Sequence, residues 1–305
     1  MLEKILVPLD GSKLAELSLI YLEELANTFN SDIFIIHVCE KPDSKFCHTA
    51  QVYLEKVASD LQIQLTKAGS SATVQSATLE GKPAAEIIQY AQQKQINLII
   101  ITSHGRTGIK AWVMGSIANK VVHLSHLPTL LIRNPLSDAE GLPGNIFRKI
   151  LVPLDGSESG ESSLPYVKEI AKKFDSEVTL LSIVEGGERV HSIGGLDYIQ
   201  FPVEFIDVMK KESENYLARV SKTLTDSGII VQNVVREGNA AEEIVTFGNE
   251  NNIGLITLSS YGKSDSHEWV LGSVANKVLH VSKLPMLLVR TVPSDAQGLP
   301  VNGNK

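Results

Sequence analysis

Nine consecutive residues near the start of the chain, Lys4-Ile-Leu-Val-Pro-Leu-Asp-Gly-Ser12, return unchanged as Lys149-Ile-Leu-Val-Pro-Leu-Asp-Gly-Ser157, at an offset of 145. A second match, Trp112-Val-Met-Gly-Ser-Ile-Ala-Asn-Lys-Val121 against Trp269-Val-Leu-Gly-Ser-Val-Ala-Asn-Lys-Val278, runs at an offset of 157. Self-similarity on this scale means that one folding unit is used twice. With 305 residues, each copy is close to the common domain size and large enough to bury its own core. The offsets differ by 12 (157 minus 145), a net insertion assigned to the segment from Gly186 to Pro202, which reads as a long glycine-containing loop. The expected layout is a domain over 1–135, a linker over 136–147 carrying Pro, Gly and acidic residues, a second domain over 148–292, and a tail over 293–305.

Within each copy, apolar and β-branched runs alternate with helical patterns. In the first copy the runs are Ile5–Leu9, Ile33–Val38, Thr73–Leu79, Leu98–Thr102 and Thr129–Ile132. The helical patterns are Leu14–Phe29, about Gln51–Ala68, Ala84–Gln93 and Ser116–Ser125. Strands that are apolar almost throughout are covered on both faces, and alternation with helices implies parallel strands with right-handed crossovers. Each copy is therefore expected to be a five-stranded, doubly wound α/β domain. Such sheets bind ligands beyond the carboxyl ends of their strands, at the point where strand order reverses. This rule singles out the loops after Leu9, Val38 and Thr102.

Other broad features narrow the function. A net charge of -7 argues against a nucleic-acid backbone as the main partner. No apolar run reaches the ~20 residues of a membrane span, and the first residues do not form a secretory signal pattern. Two cysteines, Cys39 and Cys47, make no disulfide framework; they are read as free thiols in a reducing cytoplasm.

Three places carry chemistry. Gly105 follows the fourth strand, where a Cβ would block a close backbone approach. Gly115-Ser116 stands at the start of the next helix, whose N–H groups and positive dipole end suit phosphate; an ordinary helix cap is the plainer reading of the same dipeptide. The array recurs as Gly262 and Gly272-Ser273, again with nine residues between the glycines. Asp10 and Asp155 follow the first strand of each copy. A carboxylate there can accept from a ribose hydroxyl or hold a hydrated metal ion, although Asp-Gly-Ser is also good turn chemistry. Neither a GxxxxGK[ST] loop nor a strand-linked GxGxxG occurs. His104 is replaced by Tyr261, so it is no shared base. His37 reads as core or lining, and Trp112 and Trp269 as anchors of the loop between the glycines.

These residues carry a resemblance. Both copies resemble the universal stress protein family, and the chain is identified as a tandem member over nearly its whole length. The ATP-binding branch of that family has the pattern Gly-x2-Gly-x9-Gly-(Ser/Thr). This chain has Thr102-Ser-His-Gly105 before Gly115-Ser116, and Ser259-Ser-Tyr-Gly262 before Gly272-Ser273. A small hydroxyl residue thus replaces the first glycine in both copies. The resemblance implies a Rossmann-like fold of the adenine nucleotide alpha hydrolase type and an adenine nucleotide (ATP, AMP or ADP), with Mg left open as its companion. It implies that Pro8 and Asp10 line the ribose and adenine side, that Val38 presents backbone to the adenine edge, that Thr102 and Gly105 contact ribose and α-phosphate, and that Gly115, Ser116 and Ile117 hold the outer phosphates. The matching second-copy positions are Pro153, Asp155, Ile183, Ser259, Gly262, Gly272, Ser273 and Val274. It also implies pairing through the last strands, here Thr129–Ile132 with Met286–Val289, as a pseudo-dimer within one chain, with a homodimer left open.

The loops between the glycines differ in charge. The first carries Arg106 and Lys110 and no acid; in the second, Asp265 and Glu268 offset Lys263, and Gly108 has become Asp265. Carboxylates disfavour phosphate, so the first site is expected to bind ATP more tightly. The expected function is a nucleotide-dependent regulatory protein of the stress response acting through an unidentified protein partner. The alternatives are a slow ATPase or phosphotransferase, and a nucleotide-free scaffold. No base or arginine pair recurs in both loops, which weighs against phosphoryl transfer.

Overall fold

The computed structural model describes residues 1–40, 45–103, 114–133, 146–192, 195–260 and 271–290. The first copy runs β1 (Lys4–Pro8), α1 (Lys13–Phe29), β2 (Asp32–Cys39), α2 (Lys45–Lys67), β3 (Val74–Glu80), α3 (Pro83–Gln93), β4 (Leu98–Thr102), α4 (Ser116–Leu124) and β5 (Thr129–Ile132). The second runs β6 (Lys149–Pro153), a 3-10 turn (Gly160–Ser163), α5 (Leu164–Phe174), β7 (Glu177–Val184), β8 (Gly187–Ser192), β9 (Gly195–Gln200), α6 (Val203–Thr225), β10 (Ile230–Glu237), α7 (Ala240–Glu250), β11 (Leu255–Ser259), α8 (Ser273–Val281) and β12 (Met286–Val289).

Ten strands form one sheet in the order β10-β7-β6-β11-β12-β5-β4-β1-β2-β3. All neighbours are parallel except at the centre, where β5 and β12 run antiparallel with Leu130 opposite Leu287. The expected pairing of the last strands within one chain is therefore found. In each copy the first strand lies between the second and the fourth, so chain order reverses beside β1 and β6.

The period-2 pattern of the strands sorts the core into two layers. Ile5, Val7, Ile150 and Val152 point into one layer, with Leu22 of α1, Leu54 of α2, Val167 of α5 and Leu217 of α6. Leu6 and Leu151 point to the other face, with Ile87 of α3, Val121 of α4, Ile244 of α7 and Val278 of α8. Both layers draw on both copies. Phe29 and Phe147 each contact the ring of Phe174, at centroid distances of 6.2 and 4.8 Å. Phe147 belongs to the segment read as linker, yet it is buried.

Two expectations are corrected. The segment from Gly186 to Pro202 is not a long loop: β8 and β9 pair antiparallel as a hairpin, Gly187 opposite Gln200. Cys39 and Cys47 are not free thiols but are joined as a disulfide, with Cα atoms 5.9 Å apart. The second helix of the first copy starts at Lys45 rather than near Gln51, which brings Cys47 into its first turns, next to the end of β2.

Candidate functional site

The loops after β1 and β6 begin alike and then diverge. Gly11 and Gly156 take the left-handed conformation (φ 79° and 84°), which only glycine adopts without cost. Asp10 Oδ1 accepts the Ser12 N–H at 2.9 Å, and Asp155 Oδ1 accepts the Ser157 N–H at 3.0 Å. The plainer turn role of both aspartates is thus real, and each carboxylate is oriented by it. In the first copy Ser12 caps α1, accepting from the Ala15 N–H.

In the second copy the corresponding helix is shortened by Pro165. A proline there cannot donate to the carbonyl of Glu161, so the stretch before it winds as a 3-10 turn and α5 begins only at Leu164. The turn leans on the strand ends. Ser259 Oγ donates to the Ser159 carbonyl at 2.6 Å, and Ser162 Oγ donates to Ser259 Oγ at 3.2 Å. The hydroxyl that replaces a glycine at Ser259 is therefore engaged in anchoring the turn. Gly160 packs so close to Asp155 that a Cβ would lie 2.8 Å from its carboxylate oxygen.

The helix starts are built twice in the same way. Gly115 N–H donates to the Ser103 carbonyl at 2.7 Å, and Gly272 N–H donates to the Ser260 carbonyl at 2.8 Å. Each bond pins a helix start to the end of the preceding strand. Gly115 and Gly272 are N-caps without a side-chain cap, so Ser116 and Ser273 are the first residues of α4 and α8. Their leading N–H groups lack intrahelical partners and face the carboxyl edge of the sheet.

In the second copy these pieces enclose a cavity of about 680 Å³, within the ~300–1,000 Å³ common for small-molecule sites. Pro153, Asp155, Ile183, Ser259, Gly272, Ser273 and Val274 all line it. The first-copy counterparts stand at the same places: Pro8 ends β1 with Asp10 just beyond, Val38 is near the end of β2, Thr102 ends β4, and Gly115, Ser116 and Ile117 open α4. Gly105, Gly262, Trp112, Trp269 and the charged loop residues Arg106, Lys110, Lys263, Asp265 and Glu268 lie outside the described residues, as do His104, Gly108 and Tyr261. His37 is buried, its Nδ1 2.7 Å from the Leu9 carbonyl, in keeping with a lining or core role.

The structure adds residues that motif reasoning passed over. Tyr53 of α2 donates to Glu16 Oε1 at 2.8 Å. Burial holds its phenol above the ordinary range, and the carboxylates of Glu16 and Asp10 add to this. Tyr216 of α6 is raised for the same reasons, burial first and then Glu161 and Asp155. Arg219 pairs with Glu161 at 3.2 Å and sits over the Tyr216 ring. Glu16 and Glu161 are related by the 145 offset, the one sequence signal that marks this pair. From α6, Met209, Glu212 and Ser213 also line the cavity. Among the described residues, no group of three or more His, Cys, Asp or Glu converges to hold a metal.

A family model described as the universal stress protein family matches residues 1–133 and 146–290. The chain belongs to that family. One relative has the length of a single copy: universal stress protein YxiE of Bacillus subtilis is 32% identical over 152 residues, 48% of this chain and 100% of the relative. A universal stress protein of Mycobacterium tuberculosis strain H37Rv is similar along both copies, 20% identical over 300 residues, covering 94% of this chain and 96% of the relative. Among solved structures, a universal stress protein from Archaeoglobus fulgidus superposes with a TM-score of 0.68 at 20% identity, covering 95% of this chain and 99% of that one. This last likeness bears on the fold alone. No described helix is long and apolar enough to cross a membrane.

Proposed function

We propose that this universal stress protein is an adenine-nucleotide-binding regulatory protein of the stress response, with ATP held at the carboxyl edge of the first copy. The observation that carries the reading is the convergence of the phosphate frame with the loop after the first strand. A glycine-led helix start, a turn-oriented aspartate and the end of the fourth strand meet where chain order reverses, and in the second copy they surround one cavity. The same frame stands in the first copy, where Gly115 is bonded to Ser103 and Asp10 is oriented by Ser12.

The first copy is the stronger ATP site because its loop between the glycines supplies Arg106 and Lys110, where the second supplies Asp265 and Glu268 against Lys263. The phosphates lie against the start of α4, the adenine against the end of β2 near Val38, and the ribose beside Asp10. Regulation follows when occupancy changes what the surface offers to a protein partner.

Calorimetric titration of ATP into the full chain tests this. Gly115 has φ -60° and Gly272 φ -54°, so alanine strains neither backbone. Gly115→Ala is expected to weaken ATP binding by about tenfold or more, and Gly272→Ala to leave the main isotherm in place. Loss of the main isotherm in Gly272→Ala alone would overturn the assignment.

A further inference from the structure

The second cavity has walls suited to an adenine ring but a charge unsuited to its phosphates. Ile183 and Val184 at the end of β7, Ile244 of α7 and Val274 of α8 give it apolar faces. Its charged lining is Asp155, Glu185 and Glu212, all exposed at the mouth. No lysine, arginine or histidine is found among its described lining residues. Two described cations carried by α6 beside lining residues are committed elsewhere: Lys210, next to Met209, pairs with Glu237 at 2.8 Å, and Arg219, on the Tyr216 ring, pairs with Glu161 at 3.2 Å.

The start of α8 still favours an anion, but a helix end carries only about half a unit charge. Three carboxylates around one mouth outweigh it for a ligand with two to four negative charges. What remains favourable is hydroxyl chemistry. Carboxylates accept from the hydroxyls of a diol, and serines 182, 213, 260 and 273 line the cavity. Ser260 is the most telling of them. It is 1% exposed, and its hydroxyl has no hydrogen-bond partner among the described residues. A buried polar group left unmatched is a cost that a ligand hydroxyl can remove.

Four residues back along the helix from the tyrosine that faces Glu16 or Glu161 stand Thr49 in α2 and Glu212 in α6.

We propose that the second cavity is a nucleoside site: it takes an uncharged purine nucleoside such as adenosine in preference to the phosphorylated forms. The two copies then report on different members of one pool, nucleotide at the first site and dephosphorylated nucleoside at the second. This rests on the reading that the frame accepts an adenine ring.

The test is calorimetry on the full chain with adenosine and ATP, in three backgrounds. The first is the unmodified chain. The second is Met209→Trp, which fills the cavity from a half-buried helix position. The third is the double variant Glu185→Gln/Glu212→Gln, two exposed changes that leave the core intact. Adenosine is expected to bind the unmodified chain, to be lost in Met209→Trp while ATP still binds, and not to be displaced by equimolar ATP. In the double variant the ratio of ATP to adenosine affinity at the cavity is expected to rise about tenfold, and the rise is expected to shrink at high salt. ATP displacing adenosine on equal terms from the unmodified chain would overturn the nucleoside preference and leave the adenine reading standing. Adenosine binding that survives Met209→Trp would overturn the location. Absence of either ligand from the cavity in the unmodified chain and the double variant would sink the adenine reading of the second copy, and the preference with it.

Discussion

Position 97 of the first copy corresponds to position 254 of the second at the later offset, and the two residues meet different surroundings. Asn97 donates its N–H to the Lys4 carbonyl, and its side-chain oxygen accepts the Lys4 N–H at 2.9 Å. Gly254 donates its N–H to Lys149 in the same way, but the chain arriving from the linker brings the Ile146 carbonyl to where a Cβ would stand. Gly254→Ala is therefore expected to cost about 2 kcal/mol in urea unfolding; a change below a few tenths would show that the approach is slack. Glu24 of α1 is a second sensitive residue. Burial pushes its carboxyl up to about 7, against a smaller opposing pull from Arg148. The unfolded chain keeps the ordinary value near 4.5, so the folded state holds this proton more tightly, and stability falls as pH rises from about 4.5 through about 7. Glu24→Gln is expected to gain on the order of 1 kcal/mol at pH 8, after discounting for solvent screening, and nothing below pH 4.5. Thermal melts at the two pH values check this; an equal gain at both would contradict it. Asp10 and Asp155 were legible as turn or ligand residues because Asp-Gly-Ser carries both meanings. The tyrosines that face Glu16 and Glu161 were not, because they come from a helix distant in sequence and belong to no motif.

The strands and helices of both copies were legible in their order because apolar runs and helical patterns alternate cleanly. Three elements were not, each for a physical reason. Pro165 splits what is one helix in the first copy into a 3-10 turn and a shorter helix, although the preceding nine-residue match is perfect. The hairpin of β8 and β9 was hidden by its glycines, which read as loop; Gly194-Gly195 between two short runs is the turn signal that would have found it. The disulfide was hidden because two cysteines alone make no framework and read as free thiols; α2 starts at Lys45, which sets Cys47 in its first turns within bonding distance of Cys39 at the end of β2. That bond closes a short loop, eight residues from cysteine to cysteine, where the end of β2 turns toward α2. Opening it is expected to lower stability by roughly 2 kcal/mol. Both cysteines are expected to resist alkylation in the native chain until a reductant is added; labelling followed by mass spectrometry checks this, and full labelling without reductant would contradict it.

At the scale of the molecule, duplication made the architecture readable before any element was placed. A repeat with nine identities implies one fold twice, and the central antiparallel pair of β5 and β12 joins the copies into one sheet. The sequence showed less of how far the two cores merge. Phe147, at the end of the segment read as linker, stacks on Phe174, and a single apolar layer runs from Leu22 to Val167. The chain is accordingly expected to unfold in one calorimetric transition, its calorimetric and van't Hoff enthalpies agreeing; two resolved transitions would show that the copies melt independently. The sites divide the same molecule differently, with one frame built twice under unlike charge. The most direct measurement of the central claim is to incubate the purified chain with ATP, remove unbound ligand, denature the protein and separate what is released by chromatography. The account predicts an adenine nucleotide in near-stoichiometric amount, greatly reduced in Gly115→Ala. A chain that releases no adenine nucleotide after that incubation would contradict it.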